Sequence, residues 1–191
     1  MSQATRRMTS AEFLDWQQYQ GDLYELVDGE PVAMAGAKQR HDRITANALG
    51  ELHAQLRGSA CRTFTADLAV LTVRGNVRRP DLGVHCGPFD DEAMCASQPR
   101  LVIEVLSRST RTLDQVGKLE EYKTVDSLEA IALIDPEAPE VILWLRDTAH
   151  VWQHESLHGL EAVIAVPSLG VSLRLAELYD GLAFRSRPRP V

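Results

Sequence analysis

Two carboxylates stand out from this sequence by where they fall. Glu104 interrupts LVIEVL, residues 101–106, an otherwise apolar run of the kind that forms a strand buried on both faces. Asp81 follows Pro80 and opens the run before it, DLGVHC. A carboxylate in a buried strand is costly unless it is protonated, paired or bound to a metal. Two carboxylates on neighbouring strands also repel one another, and a divalent cation between them removes both costs. All-oxygen donors favour Mg2+ or Mn2+ over zinc. The competing reading makes Glu104 half of a structural ion pair with a buried arginine.

A cation belongs to the same chemistry. In the helical segment TRTLDQVGKLEEYK, Asp114, Lys118 and Tyr122 recur every fourth residue and share one helical face. If that face packs on the 101–106 strand, Lys118 reaches the acids. There it can offset charge on a reacting phosphate or orient an attacking water. The alternative is an ordinary Asp114–Lys118 surface pair, worth about 0.2–0.5 kcal/mol.

The elements that must hold these groups can be read in order. Thr9 and Glu12 form a capping box for a short helix to about Gln18. LYELV and EPVAM around Asp28-Gly29 predict a hairpin. Ile44, Ala48, Leu52 and Leu56 mark a helix over about 40–57, stopped near Gly58. CRTFTA, DLAVLTV and VRRPDLGVHC predict strands, with a turn at Arg74-Gly75-Asn76 and an acidic loop over 87–99. After LVIEVL, Ser109 or Thr110 caps a helix running to about Lys123. EAIALID is a buried strand, VILWLRD and HVWQHE an antiparallel pair, and residues 160–178 a strand and a short final helix, SLRLAELY. The pattern predicts one α/β or α+β domain over 1–184, followed by a flexible Arg- and Pro-rich tail, 185–191.

Composition narrows the function classes. With 191 residues, 45% hydrophobic and 25% charged, one sizeable core is affordable. A net charge of −7 argues against a protein that coats DNA through a basic surface, while leaving room for a metal-holding acidic site. No apolar run is long enough to span a bilayer, and the start is no secretory signal, so a cytoplasmic chain is expected. Three cysteines, Cys61, Cys86 and Cys95, without a C-x-x-C pair predict reduced thiols.

Other candidates carry less. His150, His154 and His158 are spaced for one face of a helix, but the strand-like run HVWQHE would hold them about 13 Å apart, too far for one zinc. Arg78 and Arg79 could touch phosphate or simply be solvated. Trp16, Trp144 and Trp152 are expected to pack in the core or at its rim.

Taken together, YELVDGE, a helix beginning near His41, RRPDLGV, LVIEVLSRSTRTLDQVGKLEEYK and ALIDPE resemble one family over about residues 9–184. It is the Uma-type restriction-endonuclease-like family, long catalogued as a domain of unknown function, in the PD-(D/E)xK nuclease superfamily. The resemblance implies a mixed central sheet flanked by helices, with an added N-terminal helix and hairpin. It implies a metal-dependent endonuclease acting on DNA, in which Asp81, Glu104 and the Val105 carbonyl hold Mg2+ or Mn2+. Lys118 then corresponds to a lysine moved from strand to helix, since Leu106 stands where the general motif has lysine. Glu25 corresponds to an early glutamate that binds or orients a metal-bound water. His41 corresponds to a histidine whose role is left open. TVDSLEAIALID departs from the Gly-Val-x-Glu-Tyr-Trp run common after the family's helix. Enzymes that cut both strands are commonly homodimers, which makes a homodimer the expectation here. A catalytically inactive nuclease fold kept for binding or assembly is the alternative.

Overall fold

A computed structural model describes residues 7–106 and 114–184. In chain order it contains α1 (Ser10–Gln17), β1 (Tyr24–Val27), β2 (Glu30–Ala33), α2 (Gln39–Leu56), β3 (Arg62–Thr65), β4 (Val70–Leu71), β5 (Val77–Arg78), β6 (Leu82–His85) and β7 (Pro99–Val105). There follow α3 (Asp114–Lys123), β8 (Ala130–Asp135), β9 (Glu140–Arg146), β10 (Trp152–His158), β11 (Val163–Val166), β12 (Val171–Arg174) and α4 (Leu175–Leu178). The expected cap at Ser109 or Thr110 and the tail from residue 185 lie outside the described residues. No helix among the described residues is long and apolar enough to cross a membrane.

The centre is a mixed six-stranded sheet in the order β10-β9-β8-β7-β6-β3, with β7 and β8 parallel and the other neighbours antiparallel. Alternation along β7 sorts its side chains. Leu101, Ile103 and Val105 join the core under α2, where Ile44, Ala48, Leu52 and Leu56 are buried as their spacing predicts. Val102 faces the second core with Ile131 of β8 and Tyr122 of α3. Sequence period therefore decides which helix each strand residue meets.

A second sheet, β2-β1-β5-β4, carries the N-terminal additions. Its hairpin turns at Asp28-Gly29, both with positive φ (49° and 82°), the backbone that a two-residue D-G turn favours. The capping box of α1 is present: Thr9 Oγ1 accepts from the Glu12 N–H at 3.2 Å and Glu12 Oε2 accepts from the Thr9 N–H at 2.9 Å.

Three expectations are corrected. The run VRRPDLGVHC is two strands in different sheets, β5 and β6, separated at Arg79-Pro80-Asp81. Within SLRLAELY, Ser172 to Arg174 are strand, because Val171 and Leu173 alternate inward with Ser172 and Arg174 outward; the helix keeps Leu175–Leu178. Cys61 and Cys86 are not free thiols but a disulfide. They lie just past the opposed pair Arg62 and His85, where the antiparallel ladder brings their Cα atoms to 4.0 Å, and Cys95 is the free thiol.

The β6–β7 ladder is regular from Leu82 to Val84 and has a bulge between Val84 and His85. Gly83 lies in the regular part, where an added Cβ would meet the Phe64 ring and the Leu101 carbonyl oxygen at 2.6 Å. Backbone oxygen cannot swing aside, so Gly83→Ala is expected to destabilise the fold by about 1–3 kcal/mol, read as a lower urea midpoint at unchanged slope.

Candidate active site

The two acids meet through strand register. Leu82 of β6 faces Ile103 of β7, so the next opposed pair outward is Asp81 and Glu104. Both sit at the carboxyl end of the parallel pair β7–β8, where open α/β sheets commonly bind ligands. Asp81 Oδ2 accepts from the Val105 N–H at 2.7 Å, which fixes the aspartate against the end of β7.

Glu104 Oε1 accepts the Tyr122 hydroxyl at 2.7 Å and lies 3.7 Å from Lys118 Nζ. The ion-pair partner that sequence offered as an arginine is therefore this lysine. Burial pushes the Glu104 carboxyl up to about 7; Lys118 opposes the rise, and the nearby charges of Asp81 and Glu25 add to it. Burial alone would lower Lys118, but Glu104 and Glu25 outweigh it and hold the ammonium firmly charged. Lys118 Nζ is 3.0 Å from Glu25 Oε1. The helical-face expectation thus holds for Lys118 and Tyr122; the Asp114 side chain lies outside the description.

Glu25 sits behind the acids. Its Oε1 also accepts the Arg79 N–H at 2.8 Å, and Oε2 accepts from Arg78 at 3.2 Å. Arg78 in turn forks onto Glu121, Nε to Oε2 at 2.8 Å and Nη2 to Oε1 at 2.7 Å. Arg79 is 1% exposed and donates to the carbonyls of Tyr24, Ala66 and Asp67. Both arginines are buried and held by protein acceptors rather than solvated. His41 Nε2 lies 3.1 Å from Asp81 Oδ2, and that hydrogen bond raises the imidazole against the lowering effect of burial.

These groups line a cleft of about 510 Å³. Among the described residues no cluster of three or more His, Cys, Asp or Glu forms a ready-made metal cage. The donor set nevertheless fits a hard cation. Asp81 Oδ1 and Glu104 Oε2 take no hydrogen bond among the described residues, leaving one oxygen of each acid for a metal. Mg2+ is commonly held by one or two carboxylates while keeping several waters. The histidines form no such set: His150 is in a turn with φ 62°, and His154 stacks on Trp144 at 4.4 Å. Sequence reading missed the Tyr122 hydroxyl as the partner of Glu104, although its position one turn beyond Lys118 pointed there. It also missed Glu121, for which no local signal exists.

Fold and site together define a mixed-sheet nuclease fold with opposed acids and a lysine at the strand ends. The chain belongs to the Uma2 family, described as "Putative restriction endonuclease", whose model matches residues 10–176. Two uncharacterised proteins of Synechocystis sp. are similar to it. One is 29% identical over 183 residues, covering 93% of this chain and 94% of the relative; the other is 28% identical over 164 residues, covering 84% and 93%. The crystal structure of a putative nuclease belonging to DUF820 from Anabaena variabilis matches with a TM-score of 0.72 at 20% identity, covering 90% of this chain and 97% of that one. That likeness establishes the shared fold.

Proposed function

We propose that this chain is a Mg2+- or Mn2+-dependent endonuclease that hydrolyses phosphodiester bonds of DNA, with residues 1–184 acting as one domain. The observation that carries the reading is the opposed pair Asp81 and Glu104 at the end of adjacent strands, with Lys118 beside them.

Asp81, Glu104 and the Val105 carbonyl are the groups that would hold the ion. When bound, such an ion lowers the pKa of a water and polarises a phosphoryl oxygen. The chain does the rest. Lys118 brings a fixed positive charge to the reacting phosphate and helps orient the nucleophile. Glu25, tethered by Arg78 and the Arg79 N–H, holds the lysine rather than roaming toward the substrate. Tyr122 fixes the Glu104 rotamer, and His41 does the same for Asp81.

The test is cleavage of supercoiled and linear DNA by purified chain in Mg2+, in Mn2+ and in EDTA. Cutting is expected with either metal and none in EDTA. Metal at a hundredfold excess over its Kd should also stabilise the wild type by about 2.7 kcal/mol. That gain should vanish in Asp81→Ala. Absence of cutting together with absence of calorimetric metal binding overturns the reading. Binding DNA without cutting leaves a nuclease fold kept for binding or assembly.

Tyr122→Phe removes the donor to Glu104 while keeping the ring in its core. Loss of an outer partner of a metal ligand typically costs 10–100-fold, so kcat/KM is expected to fall by about that factor. Metal affinity should weaken alongside it. Unchanged affinity and unchanged turnover would show that the hydroxyl does not position the acid.

A further inference from the structure

Phe184, the last described residue, lies at the end of the sheet that holds the acids. β7 and β8 run parallel with Val105 opposite Ile134, so Asp135 and Pro136 follow β8 out at that end, and Pro136 and Glu137 line the cleft. The segment around and after α4 is pinned there. The Tyr179 hydroxyl donates to the Asp135 carbonyl at 2.7 Å. Asn47 Nδ2, from α2, donates to the Leu178 carbonyl at 3.0 Å and the Asp180 carbonyl at 3.2 Å.

Arg40, in the first turn of α2, completes the attachment. Its Nη1 donates to the Pro136 carbonyl at 3.1 Å and its Nη2 to the Ala183 carbonyl at 2.6 Å. One guanidinium holds both carbonyls, so Ala183 lies beside a residue of the cleft wall. The same guanidinium lies over the Phe184 ring at 5.6 Å, and that ring meets Tyr179 edge-on at 5.3 Å. Whatever follows Phe184 therefore starts next to the cleft.

The sequence continues from Phe184 as RSRPRPV, with Arg185, Arg187 and Arg189 and no acid among them. Chain geometry bounds their reach: at about 3.3–3.6 Å per residue, Arg189 falls within about 18 Å of Phe184. The whole chain carries a net charge of −7, so at long range it repels a polyanion. A run of arginines that begins at the cleft wall reverses that sign where a nucleic-acid backbone must come to place one phosphate on the acids. Guanidinium groups pair with phosphate through two parallel hydrogen bonds.

Resting on the nuclease reading, we infer that residues 185–191 are a basic arm whose Arg185, Arg187 and Arg189 bind the DNA phosphates flanking the scissile one. Such contacts read backbone charge and not base sequence. The arm touches none of the reacting atoms, so its loss weakens binding and leaves the chemical step intact. The opposing assignment pairs the arm with the chain's own exposed acids near the cleft, Glu137 and Asp180, where it would compete with DNA.

The experiment measures binding of fluorescent duplex DNA in Ca2+ across a salt series. It compares wild type, a chain ending at Phe184, and two full-length variants: Arg185→Gln, Arg187→Gln and Arg189→Gln combined, and the same three positions changed to Lys. Each phosphate contact adds about 0.9 to the slope of log affinity against log salt, so loss of three flattens it by about 2.7. Between about 50 and 200 mM salt the wild type should therefore lose about 40-fold more affinity than the truncated and Gln chains. The Lys chain keeps the charge and should keep the steep slope. Cleavage in Mn2+ by the truncated and Gln chains should show a raised KM at unchanged kcat. A slope unchanged in the Gln chain overturns the arm, as does a Lys chain as flat as the Gln chain. Tighter binding on removing the arm also overturns it, being the sign of pairing with Glu137 and Asp180. Wild-type cutting with unchanged slopes leaves the nuclease reading standing without the arm. Flattened slopes with no cutting of any DNA by wild type defeat the nuclease reading and keep the arm. Urea midpoints compare folding, and the Gln chain decides if the truncated one does not fold.

Discussion

Glu104→Gln is expected to lower DNA cleavage by at least about 10³-fold, since the charge stabilisation of a bound metal is worth several kcal/mol and each 1.36 kcal/mol is tenfold in rate. The substitution keeps shape and leaves an oxygen for the Tyr122 hydroxyl at the same place. It removes the charge that burial already disfavours, the charge whose carboxyl is pushed up to about 7 without metal. Lys118 retains Glu25 at 3.0 Å as its closer partner. Stability of the metal-free variant should therefore stay within about 1 kcal/mol of wild type, the size of a typical net hydrogen-bond contribution. Loss of both activity and fold would mean that Glu104 serves structure; loss of neither would remove it from the chemistry. Cleavage assays paired with urea unfolding in EDTA separate these outcomes.

The largest stability effect is expected at Arg78. Its side chain is 3% exposed, forks onto Glu121 and also reaches Glu25. Arg78→Met leaves Glu121 buried with a single neutral donor, Asn76 Nδ2 at 3.0 Å. Removing one partner of a buried pair costs about 3–5 kcal/mol, a large part of the ~5–15 kcal/mol that holds a typical domain together. Lysine cannot reproduce the fork, so Arg78→Lys should recover part of the loss. Arg78→Met with Glu121→Leu removes both charges and should recover most of it. The urea midpoints of the three variants test this; a loss under about 1 kcal/mol in Arg78→Met would place the pair in the weak class of surface ion pairs.

Local pattern carried much of the architecture into view. The capping box at Thr9, the D-G hairpin and the apolar stripe of α2 are short-range features, and each folds as its sequence implies. The opposition of Asp81 and Glu104 and the approach of Lys118 to Glu104 were also legible, because strand ends and a helical face fix side-chain direction. What could not be read were pairings set by the ladder across long stretches of chain. Cys61 finds Cys86 through sheet neighbours, and Arg78 of β5 finds Glu121 of α3 across the fold, and no spacing rule announces either. The burial of the Arg78 and Arg79 guanidiniums was hidden likewise, because their acceptors come from β1, α3 and the loop after β3.

The irregularity between Val84 and His85 has a bearing on how such chains can drift in length. It lies on the far side of the β6–β7 pairing from the acids. Residues gained or lost between it and Pro99 are absorbed in the connecting loop and leave Leu82 opposite Ile103. A single residue inserted between Asp81 and Val84 would instead rotate the aspartate to the opposite side of the sheet, because strand side chains alternate with period two. Descendants of this architecture are thus free to lengthen one end of the hairpin and bound to an exact count at the other.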